Sequence, residues 1–134
     1  MKKIFILMCT FVIVISLTAC KSEDKLESNY DSIREKIERN MEKILSESDG
    51  FSSIPSTYIE NEYYSNIVKL GDEAVPVLID LYKEVYHASL MGYISALAVQ
   101  DITDCDLKEK YNLSWSNASE FFKLWEDHNC SFNN

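Results

Sequence analysis

Six apolar residues set the terms for this chain: Leu26, Tyr30, Ile33, Ile37, Met41 and Ile44 follow one another at intervals of four, three, four, four and three. An α-helix turns once in 3.6 residues, so this spacing places all six on one face. A strand would need alternation, and no segment of the chain alternates cleanly. The other faces of the stretch carry Glu, Lys and Arg. Glu35 and Arg39 attract across one turn, whereas Glu38 and Glu42 repel, so charge pairing alone does not hold this helix. Its apolar stripe has to be covered. The spacing predicts a helix from about Asp24 to Ser48, roughly 37 Å long at 1.5 Å per residue. The stripe lasts only about three heptads, short for a coiled-coil stalk, which favours packing on its own domain.

Four further helices follow from similar patterns. Asp49 to Ser56 reads as a loop by composition. Thr57-Tyr58-Ile59-Glu60 fits a capping box and predicts a second helix carrying Tyr63, Ile67 and Leu70, ended by Gly71 as a left-handed C′ residue. A third begins at Asp72 with Pro76 in its first turn and buries Val75, Leu78, Ile79, Tyr82, Val85 and Tyr86. A fourth begins near Ser89 and carries Leu90, Ile94, Leu97 and Ile102. After a polar connection with a helical turn from Asp106 to Tyr111, Ser116 or Asn117 caps a fifth, with Ala118, Phe121, Phe122 and Trp125 inward. The expected class is all-α, a small bundle of about five helices.

The amino terminus carries a different signal. Lys2 and Lys3 precede Ile4 to Leu17, a run without charge, and the pattern is that of a secretory signal peptide. The run closes on Leu17-Thr18-Ala19-Cys20, which resembles the lipobox of bacterial lipoproteins. The resemblance implies cleavage between Ala19 and Cys20 and a diacylglyceryl thioether on Cys20. Two acyl chains suffice for stable attachment where one, at ~0.8 kcal/mol per buried methylene, gives only marginal binding. An uncleaved transmembrane helix is the alternative, but the run is short for one and leaves the Cys unexplained. Cys9 lies within the segment that would be removed. Loss of Lys2 and Lys3 takes the formal charge from −9 to −11, so the body is repelled by anionic lipid. Three segments are expected: 1–19 as signal peptide, 20–56 as lipidated Cys, short tether and long helix, and 57–134 as the folded domain.

Leu70-Gly71-Asp72-Glu73-Ala74-Val75-Pro76-Val77-Leu78-Ile79 resembles the opening of a HEAT-type helical repeat, and Ala96-Leu97-Ala98-Val99 resembles the second helix of such a pair. The likeness covers roughly residues 58–103. Solenoids need about three repeats to bury a continuous core, so it implies a HEAT-like helix pair and not a solenoid. The stretch from Tyr63 to Trp125 is similar to small lipoproteins and membrane-anchored proteins of Gram-positive bacteria that carry no catalytic assignment. The location implied is the extracytoplasmic face of the cell membrane.

Chemistry-bearing residues are few. The charge of −9 argues against nucleic acid, and Gly50, Gly71 and Gly92 stand too far apart for a phosphate loop. Only His87 and His128 are present, with no His-Glu-x-x-His or Gly-x-Ser-x-Gly pattern, so no catalytic residue, metal or cofactor is assigned. Asp101, Asp104, Asp106 and Glu109 form an acidic run that lacks calcium-loop spacing. Cys105 and Cys130 are candidates for a disulfide outside the cytoplasm. If the last two long helices packed antiparallel, however, the two Cys would lie beyond bonding reach. They meet only if the connection from Asp106 to Trp115 travels back along the bundle. Tyr58, Tyr63, Tyr64, Tyr82, Tyr86 and Tyr93 fall on three neighbouring helices and are candidates for a groove that stacks on sugar or holds peptide, or for a core edge. Asn112, Asn117 and Asn129 head Asn-x-Ser sequons, which have no use in a bacterium.

The function expected is therefore a non-catalytic interaction module, held on the bilayer through acylated Cys20, that binds a protein, peptide or wall polymer. The rival is a small surface-anchored hydrolase working through the carboxylates between Asp101 and Glu109.

Overall fold

A computed structural model describes the backbone of residues 2–48, 55–128 and 130, and the side chains of 25–48, 55–128 and 130. The lipobox side chains and most of the expected loop at 49–56 lie outside the described residues. So does Asn129. Among the described residues there are no strands, and the protein is an all-α bundle of five helices of seven residues or longer with two shorter ones. No helix among them is long and apolar enough to cross a membrane.

The chain divides into two compact units, Met1–Ser32 and Ile33–Asn134. Helical backbone begins earlier than the apolar stripe, and α1 spans Lys2–Glu47. In the first unit the described side chains are exposed apart from half-buried Tyr30, and Leu26 stands 72% open. The second unit holds the core. Ile33, Ile37, Met41 and Ile44 are all buried there, so the stripe ends in packing and not in a stalk. Each such burial contributes about 1.5–3 kcal/mol. Polar contacts fix the register of α1: Arg34 pairs with Glu84 at 2.9 Å, and the Tyr63 hydroxyl donates to Glu47 at 2.8 Å.

The second helix expected from Thr57 to Leu70 is broken in two. A single turn, α2 (Ser56–Ile59), stops at Glu60, and α3 (Glu62–Val68) starts afresh. Asn61 is the reason. Its extended backbone and its side chain, which accepts from the Tyr64 amide at 2.9 Å, cap α3. The Thr57–Glu60 capping box does not form, because Thr57 lies inside α2. Gly71 takes the left-handed conformation as expected, at φ +70°. It opens a 3₁₀ turn (Gly71–Glu73) that leads into α4 (Ala74–Leu81), with Pro76 tolerated in the first turn.

α4 then widens into a π-helical turn, Tyr82–Tyr86. The inserted residue rotates the following side chains, so Tyr86 is buried while Val85, expected inside, is 57% exposed. Ser89 caps α5 (Leu90–Ile102) by accepting from the Gly92 amide, and its own hydroxyl donates to the Tyr86 carbonyl at 2.8 Å. Gly92 lies directly against that carbonyl: a Cβ there would stand 2.3 Å from the Tyr86 oxygen. α4 and α5 form the expected helix pair, and α3 and α7 (Ala118–Asp127) pack on α5.

Candidate functional site

The arrangement of α5 and α7 decides what the surface offers. Trp115, just before α7, stacks on Tyr93 in the first turn of α5 at 5.1 Å and on Phe121 in α7 at 5.0 Å. At the other end, the Trp125 indole N–H of α7 points to the Thr103 hydroxyl at the close of α5, 3.4 Å away. The two helices therefore run parallel. Their connection returns along α5 through a short helix, α6 (Leu107–Tyr111), which Asn112 ends in the left-handed conformation. Asn accepts that conformation more readily than most residues.

Both helices end in the same way. The Cys105 amide donates to the Gln100 carbonyl, five residues back, at 3.1 Å, with Asp104 left-handed at φ 48°. This is the long bond of a Schellman ending. The Cys130 amide donates to the Trp125 carbonyl, also five residues back, at 3.1 Å. Parallel helices with matched endings bring the two cysteines level. Their Cα atoms lie 5.9 Å apart and the sulfurs are joined. The antiparallel geometry that would have separated them does not occur, because the connection returns along the bundle.

The same return builds a cleft of about 260 Å³ on the face of α5. Tyr93 and Gln100 form the α5 wall, Asp106 and Lys108 stand at the start of α6, and Leu113, Ser114 and Trp115 belong to the returning segment. Trp115 and Tyr93 are half-buried, held by their mutual stack and by Phe121 beneath Trp115. The cleft thus combines a fixed aromatic wall, one leucine, and a carboxylate, an ammonium, a carboxamide and a hydroxyl. The start of α7 is also held firmly. Asn117 accepts from the Glu120 amide, while the Glu120 carboxylate accepts from the amide and hydroxyl of Ser116, both at 2.8 Å. The Ser116 amide, and then its hydroxyl, hold the Glu120 carboxyl below the usual carboxylate range.

The six candidate tyrosines do not share a groove. Tyr58, Tyr64 and Tyr86 are buried and offer no face to a ligand. Tyr82 stacks on Phe122 at 4.3 Å, and Tyr63 is engaged with Glu47. Only Tyr93 reaches the cleft. The helical period turned neighbouring tyrosines such as Tyr63 and Tyr64 to different sides. Tyr64 has a defined role: its hydroxyl donates to Asp101 at 2.7 Å, tying α3 to α5. Burial, reinforced by the Asp101 carboxylate, pushes its phenol far above the usual tyrosine range.

Of the carboxylates between Asp101 and Glu109, those of Asp101 and Asp106 serve local tasks. Asp101 accepts from Tyr64, and the carbonyl of Asp104 accepts from the Lys110 ammonium. Asp106 caps α6 by accepting from the amides of Lys108 and Glu109 at 2.8 and 3.0 Å. Among the described residues no group of three His, Cys, Asp or Glu is placed to hold a metal ion. His87 is exposed beyond the π-helical turn, and His128 stacks on Tyr111 at 4.7 Å with its Nδ1 2.9 Å from the Leu124 carbonyl. The residues that sequence reasoning missed are Gln100, Lys108, Leu113, Ser114 and Trp115. Only Trp115 gave a signal, as an aromatic residue in an otherwise polar connection. No known protein family matches the chain, and no curated protein or solved structure matches it either.

Proposed function

We propose that this protein is a lipid-anchored interaction module on the extracytoplasmic face of a bacterial cell membrane, and that it binds its partner in the cleft between α5 and the returning segment. The observation that carries the binding half of this reading is the cleft itself, in which an aromatic pair fixed from behind stands beside several polar groups of different character. Convergent polar groups around an apolar wall are the usual composition of a recognition site. The anchoring half rests on Leu17-Thr18-Ala19-Cys20 after a charge-free run. The bond between Cys105 and Cys130 supports export, since disulfides persist chiefly in oxidising compartments. The partner classes are a protein, a peptide or a wall polymer. A hydrolase would need two carboxylates turned to one substrate, and Asp101 and Asp106 instead serve the Tyr64 contact and the α6 cap.

Two measurements test the two halves. The mass of the mature amino terminus should correspond to a diacylated Cys20, and Cys20→Ser should abolish processing; a chain that begins at Met1 with unmodified Cys20 refutes the anchor. For the cleft, a photoreactive phenylalanine derivative at Ser114 of the lipidated protein should crosslink on intact membranes, while the same group at exposed Asn66 should not. Crosslinking from neither position, or equally from both, refutes the cleft as the binding face.

A further inference from the structure

Resting on the cleft reading above, we infer that the ligand unit seated there is an acetamido sugar, one N-acetylated hexosamine residue of a neutral glycan. The first constraint is size. Drug-sized ligands occupy pockets of roughly 300–1,000 Å³, and this cleft, at about 260 Å³, has room for a single unit of a larger chain. The second is shape. A pyranose offers a flat face of C–H groups to an aromatic ring and hydroxyls at its rim, and half-buried Trp115, with the tilted rings of Tyr93 at 5.1 Å and Phe121 at 5.0 Å, supplies such a ring.

The third constraint separates an acetamido sugar from a plain hexose. An acetamido group presents an N–H donor, a carbonyl acceptor and a methyl, and needs one complement for each. Asp106, whose Oδ1 caps α6, keeps Oδ2 as an acceptor for the N–H. The Gln100 carboxamide and the Lys108 ammonium, which also donates to Asn112 Oδ1 at 3.1 Å, are donors for the carbonyl, and Leu113 is the apolar place for the methyl. Ser114 remains for a ring hydroxyl. Charge gives the fourth. At −9 the chain repels phosphate-rich polymers, and the cleft, lined by one lysine and one aspartate, does not reverse that. The glycan is accordingly a neutral one.

The test uses the two tryptophan indole N–H signals in a ¹H–¹⁵N spectrum of the full chain in detergent micelles, since the chain has only Trp115 and Trp125. Titration with the β-1,4-linked trimer of N-acetylglucosamine should shift the Trp115 signal saturably and leave Trp125, internal and pointed at Thr103, unmoved. The glucose trimer of the same linkage should bind roughly tenfold more weakly, the difference expected of a polar site whose partners are left unpaired. Gln100→Ala should weaken the N-acetylated trimer and bring the two trimers closer together. Trp115→Ala should abolish binding, but Gln100→Ala keeps the test independent of any effect of the Trp115 change on folding. Equal affinity for the two trimers, or an unmoved Trp115 signal, overturns the acetamido assignment. If Ser114 still crosslinks on membranes in that case, the cleft remains a binding face and only the ligand class falls.

Discussion

Removing the covalent link between Cys105 and Cys130 should destabilise the protein strongly while leaving every helix intact. The two residues are 25 apart in sequence. Closing a loop of that length in the unfolded chain lowers its entropy by an amount worth about 3.5 kcal/mol at 25 °C in the chain-entropy description. The bond is also buried, with Cys105 3% and Cys130 8% exposed. Replacement by Ser would add hydroxyls to a dry position and confound the measurement. The cleaner variant is Cys105→Ala with Cys130→Ala, compared with the wild-type chain before and after reduction. In a domain of this size each kcal/mol moves the melting temperature by roughly 4–8 °C, so the expected fall is about 15 °C or more. Tryptophan fluorescence is the suitable probe, because Trp115 and Trp125 both report on the packing of α7 against α5. The denaturant slope should rise as well, since the unlinked unfolded chain exposes more surface. A melting temperature within about 3 °C of the oxidised protein, for both the reduced and the double-Ala chains, would refute the reasoning.

Three further outcomes follow from the packing. Ile37→Ala should destabilise the protein by about 2–4 kcal/mol, whereas Leu26→Ala, on the same stripe but exposed, should stay within roughly 0.5 kcal/mol by chemical denaturation. Gly92→Ala should cost about 1–3 kcal/mol or more by the same measurement, because the clash is with the Tyr86 backbone and no rotamer relieves it. Alkaline pH should also weaken the fold. Tyr64 resists ionisation when folded, chiefly through burial and then through Asp101, so its contribution is fully present below the ordinary tyrosine value of ~10 and is lost as pH rises above it. The slope per tyrosine is at most ~1.4 kcal/mol per pH unit, and Tyr64→Phe should flatten stability measured between about pH 10 and 12.

Local signals in the sequence were strong where a helix end depends on one residue. Ser89, Asn117, Gly71 and Pro76 occupy the positions that their chemistry favours. The break at Asn61 was harder to read, because Thr57 with Glu60 and Asn61 on its own both satisfy a capping pattern a few residues apart. The chain uses the Asn61 cap, and the Tyr64 hydroxyl bonded to Asp101 ties the helix it starts to α5. The π-helical turn had no signature, since it exposes Val85 at a position the regular helical period would bury. The cleft was largely invisible for a related reason: its lining comes from α5, the start of α6 and the segment before α7, which meet only once the direction of α7 is set.

That direction gives the cleft and the disulfide a common origin. From Tyr93 to Thr103 α5 rises about 15 Å, and a parallel α7 obliges the chain to recover that distance before it can begin. The returning segment is anchored at both ends by apolar residues, Leu107 fully buried near the end of α5 and Trp115 near its beginning. Between them Lys108 to Asn112 and Ser114 are exposed, and Leu113 is half-covered. A segment pinned only at its ends does not fill the surface it crosses, and the gap it leaves is the cleft. The same parallel order sets the two helix endings level and brings Cys105 to Cys130. Cys105 is bonded through its amide to Gln100 and is followed directly by Asp106, both of which line the cleft. The covalent link therefore fixes one end of the cleft, and the contacts of Trp115 with Tyr93 and Phe121 fix the other.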